Sequence, residues 1–259
     1  MNDLAANNDQ RTRYFVLTHG GSRSSLLCAI LADAGADFGM PAPAETLPGQ
    51  AAMEHPEITV AAHHYRRAND ALAGDFVVSP RLEAKWRRWR ARRRLRRAMM
   101  LASYVKANDL DLVVQPAFKL GYSPRVILSY RRFGPAMVLG RTHAGPDALA
   151  RDYLRLYQQG LMLLDAFGGC VVGYESLVKD PDAIVRALAA VTGLDAARLA
   201  QAHARRVRTT EVADTTPAIY RHPQALFERL QARHGQAVPP SAAVLRRLER
   251  GSASSGANR

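Results

Sequence analysis

The segment Thr18-His-Gly-Gly-Ser-Arg-Ser-Ser25 follows the apolar run Tyr14 to Leu17 and precedes Leu26-Leu27-Cys28. Glycines, serines and an arginine in that order suit the binding of a phosphate or a sulfate. Gly20 and Gly21 let the backbone turn with little steric resistance, so successive amide N–H groups and the positive end of a following helix can face one anion. Ser22, Ser24 and Ser25 add hydroxyl donors, and Arg23 adds a forked guanidinium matched to anionic oxygens. A serine-capped helix after a surface loop would have the same composition, so the remainder of the chain has to separate the two readings.

A strand has to deliver this turn and a helix has to receive it. Four short β-prone runs are apolar throughout: Tyr14 to Thr18, Leu112 to Gln115, Arg125 to Tyr130 and Cys170 to Tyr174. Continuous apolarity predicts strands covered on both faces, as in a parallel sheet with helices between its strands. Helices are predicted over Leu26 to Ala34, Glu54 to Leu72 and Pro146 to Phe167. Another starts at Asp180 as N-cap, with Pro181 at the first helical position and Gly193 as the stop. The expected fold class is α/β: a three-layer domain with a parallel sheet flanked by helices, helical insertions, and an all-helical segment after Asp195. Residues 1–13 are expected to be a flexible start, 14–250 a single domain and 251–259 a disordered tail.

With 259 residues, 47% of them hydrophobic, the chain can bury one substantial core. No stretch approaches the roughly 20 apolar residues that span a bilayer, and Met1 to Arg13 has no apolar core of a signal peptide, so a cytoplasmic, non-transmembrane protein is expected. Cys28 and Cys170 are too few for a disulfide framework and lack metal-ligand spacing, which leaves them as small buried hydrophobes. The 36 Lys and Arg against 23 Asp and Glu, a net +13, point to an anionic partner.

Much of the excess charge is local. Arg81, Lys85, Arg87, Arg88, Arg90, Arg92, Arg93, Arg94, Arg96 and Arg97 crowd one segment of good helix formers. Leu82, Trp86, Trp89 and Met100 form a thin apolar stripe along it, expected to dock on the protein body while the arginines face water or a partner. That partner would be an acidic or carrier-presented acceptor, or an anionic membrane surface. Nucleic acid ranks last because no reading module accompanies the helix.

Taken together and in order, four segments resemble the sulfotransferases that use 3′-phosphoadenosine 5′-phosphosulfate (PAPS) as donor. The first is Gly21-Ser22-Arg23-Ser24-Ser25-Leu26-Leu27, similar to the family's loop for the 5′-phosphosulfate. The second is Gln50-Ala-Ala-Met-Glu54-His55, similar to its Gly-x-x-Glu element. The third is Val126-Ile-Leu-Ser129-Tyr-Arg131-Arg132-Phe-Gly-Pro135, similar to a strand running into Arg-x-Pro. The fourth is Gly173-Tyr174-Glu175-Ser-Leu177 with Asp180-Pro181 and Gly193-Leu194, the most specific of the set.

The resemblance spans Tyr14 to Asp195 and implies a P-loop-like sulfotransferase fold. It implies PAPS as co-substrate, held by Gly20, Gly21, Ser22, Arg23, Ser24 and Ser25 at its 5′ end and by Ser129 with Arg131 or Arg132 at its 3′-phosphate. Arg23 and Ser22 would stabilise the bridging oxygen. Glu54 would be the base that takes the acceptor proton. The alternatives are His55, whose imidazole suits proton abstraction near neutral pH, then Glu45, His63 and His64. The acceptor would be a hydroxyl on a sugar, lipid, small metabolite or peptide tyrosine. No Asp, Glu and His cluster suggests a metal. Glu175 is expected to tie down loops at a strand end, and Lys119 is a minor candidate for a sulfate contact.

The sequence departs from the family at identifiable places. The family's basic loop residue and its glycine look exchanged at Gly21 and Arg23, which would place Arg23 at a positive φ. The serine expected eight residues after the 3′-phosphate arginine falls on Leu139 or Gly140, and Phe133 stands where the third motif has proline. A nucleoside triphosphatase is disfavoured because the loop lacks Gly-Lys-Ser/Thr. The other alternative is a non-catalytic relative of sulfotransferases that holds an acidic partner with its Arg-rich helix.

Overall fold

The computed structural model describes residues 11–20, 22–39, 53–73, 80–107, 109–139, 145–207 and 220–246. Strand β1 (Thr12–Thr18) leads to helix α1 (Ser24–Asp33). Next come α2 (Pro56–Ala73), α3 (Pro80–Leu101), β2 (Tyr104–Lys106), α4 (Asp111–Lys119), β3 (Ser123–Tyr130), α5 (Phe133–Leu139) and α6 (Pro146–Phe167). The chain continues through β4 (Gly169–Gly173), α7 (Tyr174–Lys179), α8 (Pro181–Thr192), α9 (Ala196–Arg206), α10 (Arg221–Ala232) and β5 (Ala237–Val238).

The fold is α/β, with five strands in the order β2-β1-β3-β4-β5. β3 and β4 run parallel, in a register from Val126 opposite Gly169 to Tyr130 opposite Gly173. β5 runs antiparallel to β4, so the sheet is mixed and the all-parallel expectation is corrected. The same two-residue strand corrects the all-helical reading of the segment after Asp195. It is too short to carry a hydrophobic pattern, and it is set by the turn before it, where the Gly235 N–H donates to the Val171 carbonyl at 3.2 Å.

Leu112 to Gln115 is the second correction: these residues lie inside α4 and not in a strand. Buried Asp111, Val113, Val114 and Ala117 follow helical spacing, and Asp111 in the first turn and Lys119 in the last both complement the helix dipole. A four-residue apolar run carries no period of its own, so packing decides its state. The strand missed from the sequence, β2, consists of the three buried residues Tyr104, Val105 and Lys106. Tyr174 and Glu175, expected at the end of a strand, instead open α7.

The chain divides into two compact units, one of Met1–Phe15 with Asp37–Pro124 and one of Val16–Ala36 with Arg125–Arg259. In the first, α2 packs along α3, and α4 contacts both. The contact face of α3 is made of Ala84, Ala91, Leu95, Ala98 and Met99, all buried, small residues at several of these positions allowing close approach. This overturns the expected docking stripe: Leu82, Trp86, Trp89 and Met100 are exposed. A count of large apolar residues hides the face that packs when that face is mostly alanine.

In the second unit α1 contacts α9, α8 contacts β4 and β5, and α10 contacts α6 and β4. A bidentate pair from Arg206 to Asp33, at 2.7 and 2.8 Å, fastens α9 to α1. Helix α6 occupies the expected residues, with Pro146 in its first turn and Gly168 as its C-cap. It lies so close to β3 that a Cβ on Gly160 would come within 2.6 Å of Leu128 Cδ1. Helix α8 has Asp180 before it and Gly193 in the left-handed conformation after it, as the sequence indicates, although the Asp180 side chain makes no capping bond. Cys28 and Cys170 are fully buried. Burial pushes the Cys170 thiol up to about 12, which keeps it protonated and unreactive.

Candidate functional site

The parallel register of β3 and β4 joins two of the sequence motifs. Because Tyr130 pairs with Gly173, the next residues, Arg131-Arg132 and Tyr174-Glu175, leave the sheet side by side at the carboxyl ends of the strands. This is where open α/β sheets place ligands. The Arg131 guanidinium lies over the Tyr174 ring, 4.4 Å from its centre, and Nε is 4.0 Å from a Glu175 carboxylate oxygen. The other arginine uses its backbone here: the Arg132 N–H donates to Glu175 Oε1 at 3.1 Å, while its guanidinium lies over the Phe227 ring at 5.0 Å.

Arg131 is 2% exposed, and its Nε and Nη1 have no hydrogen-bond partner among the described residues. Burial lowers its pKa, Tyr174 and Glu175 oppose that, and Arg23 adds to the lowering by repulsion. A cation so placed favours an anion beside it, because buried charge without hydrogen bonds is costly.

The Gly/Ser turn belongs to the same unit. It connects the buried end of β1 to α1, whose first residues are Ser24 and Ser25. Arg23 is the N-cap, at φ 60° and ψ 25°, so the positive φ inferred from the exchanged glycine and arginine is present. The Arg23 side chain makes no capping bond and no acidic residue stands in the first turn of α1, so the positive helix end carries no carboxylate of its own there. Ser22 and Ser24 are buried. The Ser22 hydroxyl bonds Thr18 Oγ1, and its N–H donates to the His19 carbonyl at 3.2 Å, closing the turn.

Two tyrosines of α6 fix this turn against β3, and sequence reading missed both. The Tyr157 hydroxyl donates to the Ser129 carbonyl at 2.9 Å and accepts from the His19 N–H at 3.4 Å. One helical turn earlier, the Tyr153 hydroxyl donates to the Arg131 carbonyl at 2.7 Å. Both phenols are held above the ordinary tyrosine value, mainly by burial, so they act as neutral donors. The i, i+4 spacing of two tyrosines on the apolar face of a predicted helix was the signal for them. Ser129 is itself buried, and Glu175, in the first turn of α7 and not at a strand end, holds the backbone of the neighbouring segment through the Arg132 N–H.

Glu54 and His55 belong to the first unit. Both are buried and both precede α2, which starts later than expected because Pro56 takes the first helical position. The His55 carbonyl accepts from the Thr59 N–H at 3.0 Å, and its own N–H donates to the Lys106 carbonyl at the end of β2 at 3.1 Å. Burial raises the Glu54 carboxyl above the ordinary carboxylate range, with Lys106 opposing. Burial lowers His55, with Glu57 opposing, and His55 Nδ1 has no hydrogen-bond partner among the described residues. A buried carboxyl of raised pKa near a cation suits proton transfer. His63 and His64 lie within α2, their ring centres 6.3 Å apart, and Lys119 is exposed in the last turn of α4.

Gly20 is described; Gly21, Glu45, Gln50 and Gly140 lie outside the described residues. No protein-family model, curated protein or solved structure matches this chain.

Proposed function

We propose that this protein is a sulfotransferase that takes PAPS as donor and an acceptor hydroxyl as the group modified. The observation that supports this most is Arg131: a buried guanidinium with two nitrogens lacking partners among the described residues, at the end of β3 in the same unit as the turn after β1. A donor carrying a 3′-phosphate and a 5′-phosphosulfate presents two separated anions, and these two elements are two separated anion sites.

The donor supplies an activated sulfuryl group on a phosphate leaving group. The residues of this chain bind and orient it. Arg131, with Ser129 before it in β3, takes the 3′-phosphate, and Arg132 supports that strand end through Glu175. The N–H groups and hydroxyls of Ser24 and Ser25, with the Ser22 hydroxyl, hold the 5′ end, while the Ser22 N–H closes the turn that presents them. Arg23 and Ser22 stabilise charge that develops on the leaving oxygen, as in phosphoryl transfer. Glu54 accepts the proton of the acceptor hydroxyl, and His55 is the alternative for that role. The acceptor hydroxyl belongs to a sugar, lipid, small metabolite or peptide tyrosine.

Calorimetric titration with 3′,5′-adenosine bisphosphate, run beside ATP with Mg²⁺, tests this reading. The bisphosphate is expected to bind and ATP is not. Arg131→Met should weaken that binding about 10-fold to 100-fold, the range for lost charge-assisted hydrogen bonds. Binding of ATP alone, binding of neither ligand, or an unchanged affinity in Arg131→Met would overturn it.

A further inference from the structure

Helix α3 carries a second surface, independent of the donor chemistry. Its buried line, Ala84, Ala91, Leu95 and Ala98, is committed to the packing within its unit. On the opposite side, Leu82, Trp86, Trp89, Arg93 and Met100 recur at i, i+4, i+7, i+11 and i+18, which at 3.6 residues per turn is one line along the helix. Their apolar members are open to solvent: Leu82 67%, Trp86 47%, Trp89 57% and Met100 66% exposed, with Leu101 beyond them at 64%. Exposed cations flank this line, Lys85, Arg92 and Arg96 on one side and Arg90 and Arg97 on the other. Two arginines lie over the indoles, Arg90 at 4.1 Å from the Trp86 ring centre and Arg93 at 5.9 Å from that of Trp89.

We propose that this face of α3 docks on an anionic phospholipid bilayer, lying in the plane of its surface. The 22-residue helix offers a straight contact about 33 Å long, and no helix among the described residues is long and apolar enough to cross a membrane. Leucine, methionine and two indoles in one line fit the acyl boundary. Indoles prefer the headgroup level, and arginines on either side reach anionic headgroups by extending their stems. A nucleic acid or an acidic polypeptide would satisfy the arginines and stack on the indoles, but it would leave Leu82, Met100 and Leu101 without apolar surroundings. The bilayer alone meets both halves of the pattern.

The experiment uses the two tryptophans of the chain, both on this face, as the reporter. Vesicles of phosphatidylcholine with about 30% phosphatidylglycerol should bind at least about tenfold more tightly than pure phosphatidylcholine, since each basic residue near an anionic surface adds to the attraction. Binding should shift the emission to the blue, and bromine-labelled acyl chains should quench it. By co-sedimentation, Trp86→Ser with Trp89→Ser should lose most of the binding without any change of charge, and Arg92→Glu with Arg93→Glu and Arg96→Glu should lose it through charge. All five residues are exposed, and far-ultraviolet circular dichroism checks that the variants remain folded. An emission shift with a single-stranded oligonucleotide or polyglutamate but none with vesicles would overturn the proposal, as would vesicle binding that survives the double tryptophan substitution.

Discussion

Arg23 occupies a conformation that residues with a Cβ avoid. Its φ of 60° costs about 1 kcal/mol relative to glycine, and the return is a guanidinium at the mouth of a helix N-terminus. Arg23→Gly is therefore expected to raise the free energy of unfolding by about 1 kcal/mol in urea titration while weakening bisphosphate binding. Stability and function should move in opposite directions at this one residue. Glu54 makes a different test, through pH. Because burial raises its carboxyl, the folded state holds the proton more tightly than the unfolded chain. Its contribution is then fully present below the ordinary value of 4.5 and is lost as pH rises through the raised value. The difference in urea midpoint between the native chain and Glu54→Gln should grow across that window and be flat on either side. If Glu54 is the base, turnover rises with pH through the same window and is abolished in Glu54→Gln while bisphosphate binding persists.

Among the elements, the β3/β4 pair does most to assemble the site, and its register depends on close contact at its start. Gly169 sits at φ 142°, and a Cβ there would stand 1.8 Å from the Val126 carbonyl oxygen, a backbone atom that cannot move aside. Gly169→Ala is expected to destabilise the fold by more than about 3 kcal/mol, or to prevent folding, because both strain and backbone overlap act on it. A melting temperature within a degree or two of the native one would contradict the register that sets Arg131 beside Tyr174. The elements also separate what was legible in the sequence from what was not. β1, β3, α6 and α8 were readable because each has a sustained pattern and its own terminal signals, such as Pro146 with Gly168 or Pro181 with Gly193. β2, α4 and β5 were not, because two to nine residues carry too little period to outweigh their packing.

At the scale of the whole molecule, charge and buried imidazoles combine. The chain carries +13 before any histidine is protonated, and burial lowers His19, His55 and His234. For each, the stability contribution is present above the ordinary value of 6.5 and is lost as pH falls from there through the lowered value. Each proton taken up also adds to an existing positive excess, so acid should destabilise the protein earlier than carboxylate titration alone would. Added salt should restore part of that loss by screening. Thermal melts at descending pH, at low and high ionic strength, would show both effects. The sequence by itself determined the succession of serine and arginine from Ser22 to Ser25, the order of that segment and of Arg131-Arg132 along the chain, and the concentration of arginine from Arg81 to Arg97, because residue type and spacing are properties of the chain itself. The tertiary structure alone decided that strand register would stand Arg131 and Arg132 beside Tyr174 and Glu175, and that Tyr153 and Tyr157 would hold β3 to the turn. It also decided that α3 would bury its alanines and leave its tryptophans outside. Pairing register and helix rotation depend on contacts between segments distant in the chain, and no local pattern encodes them.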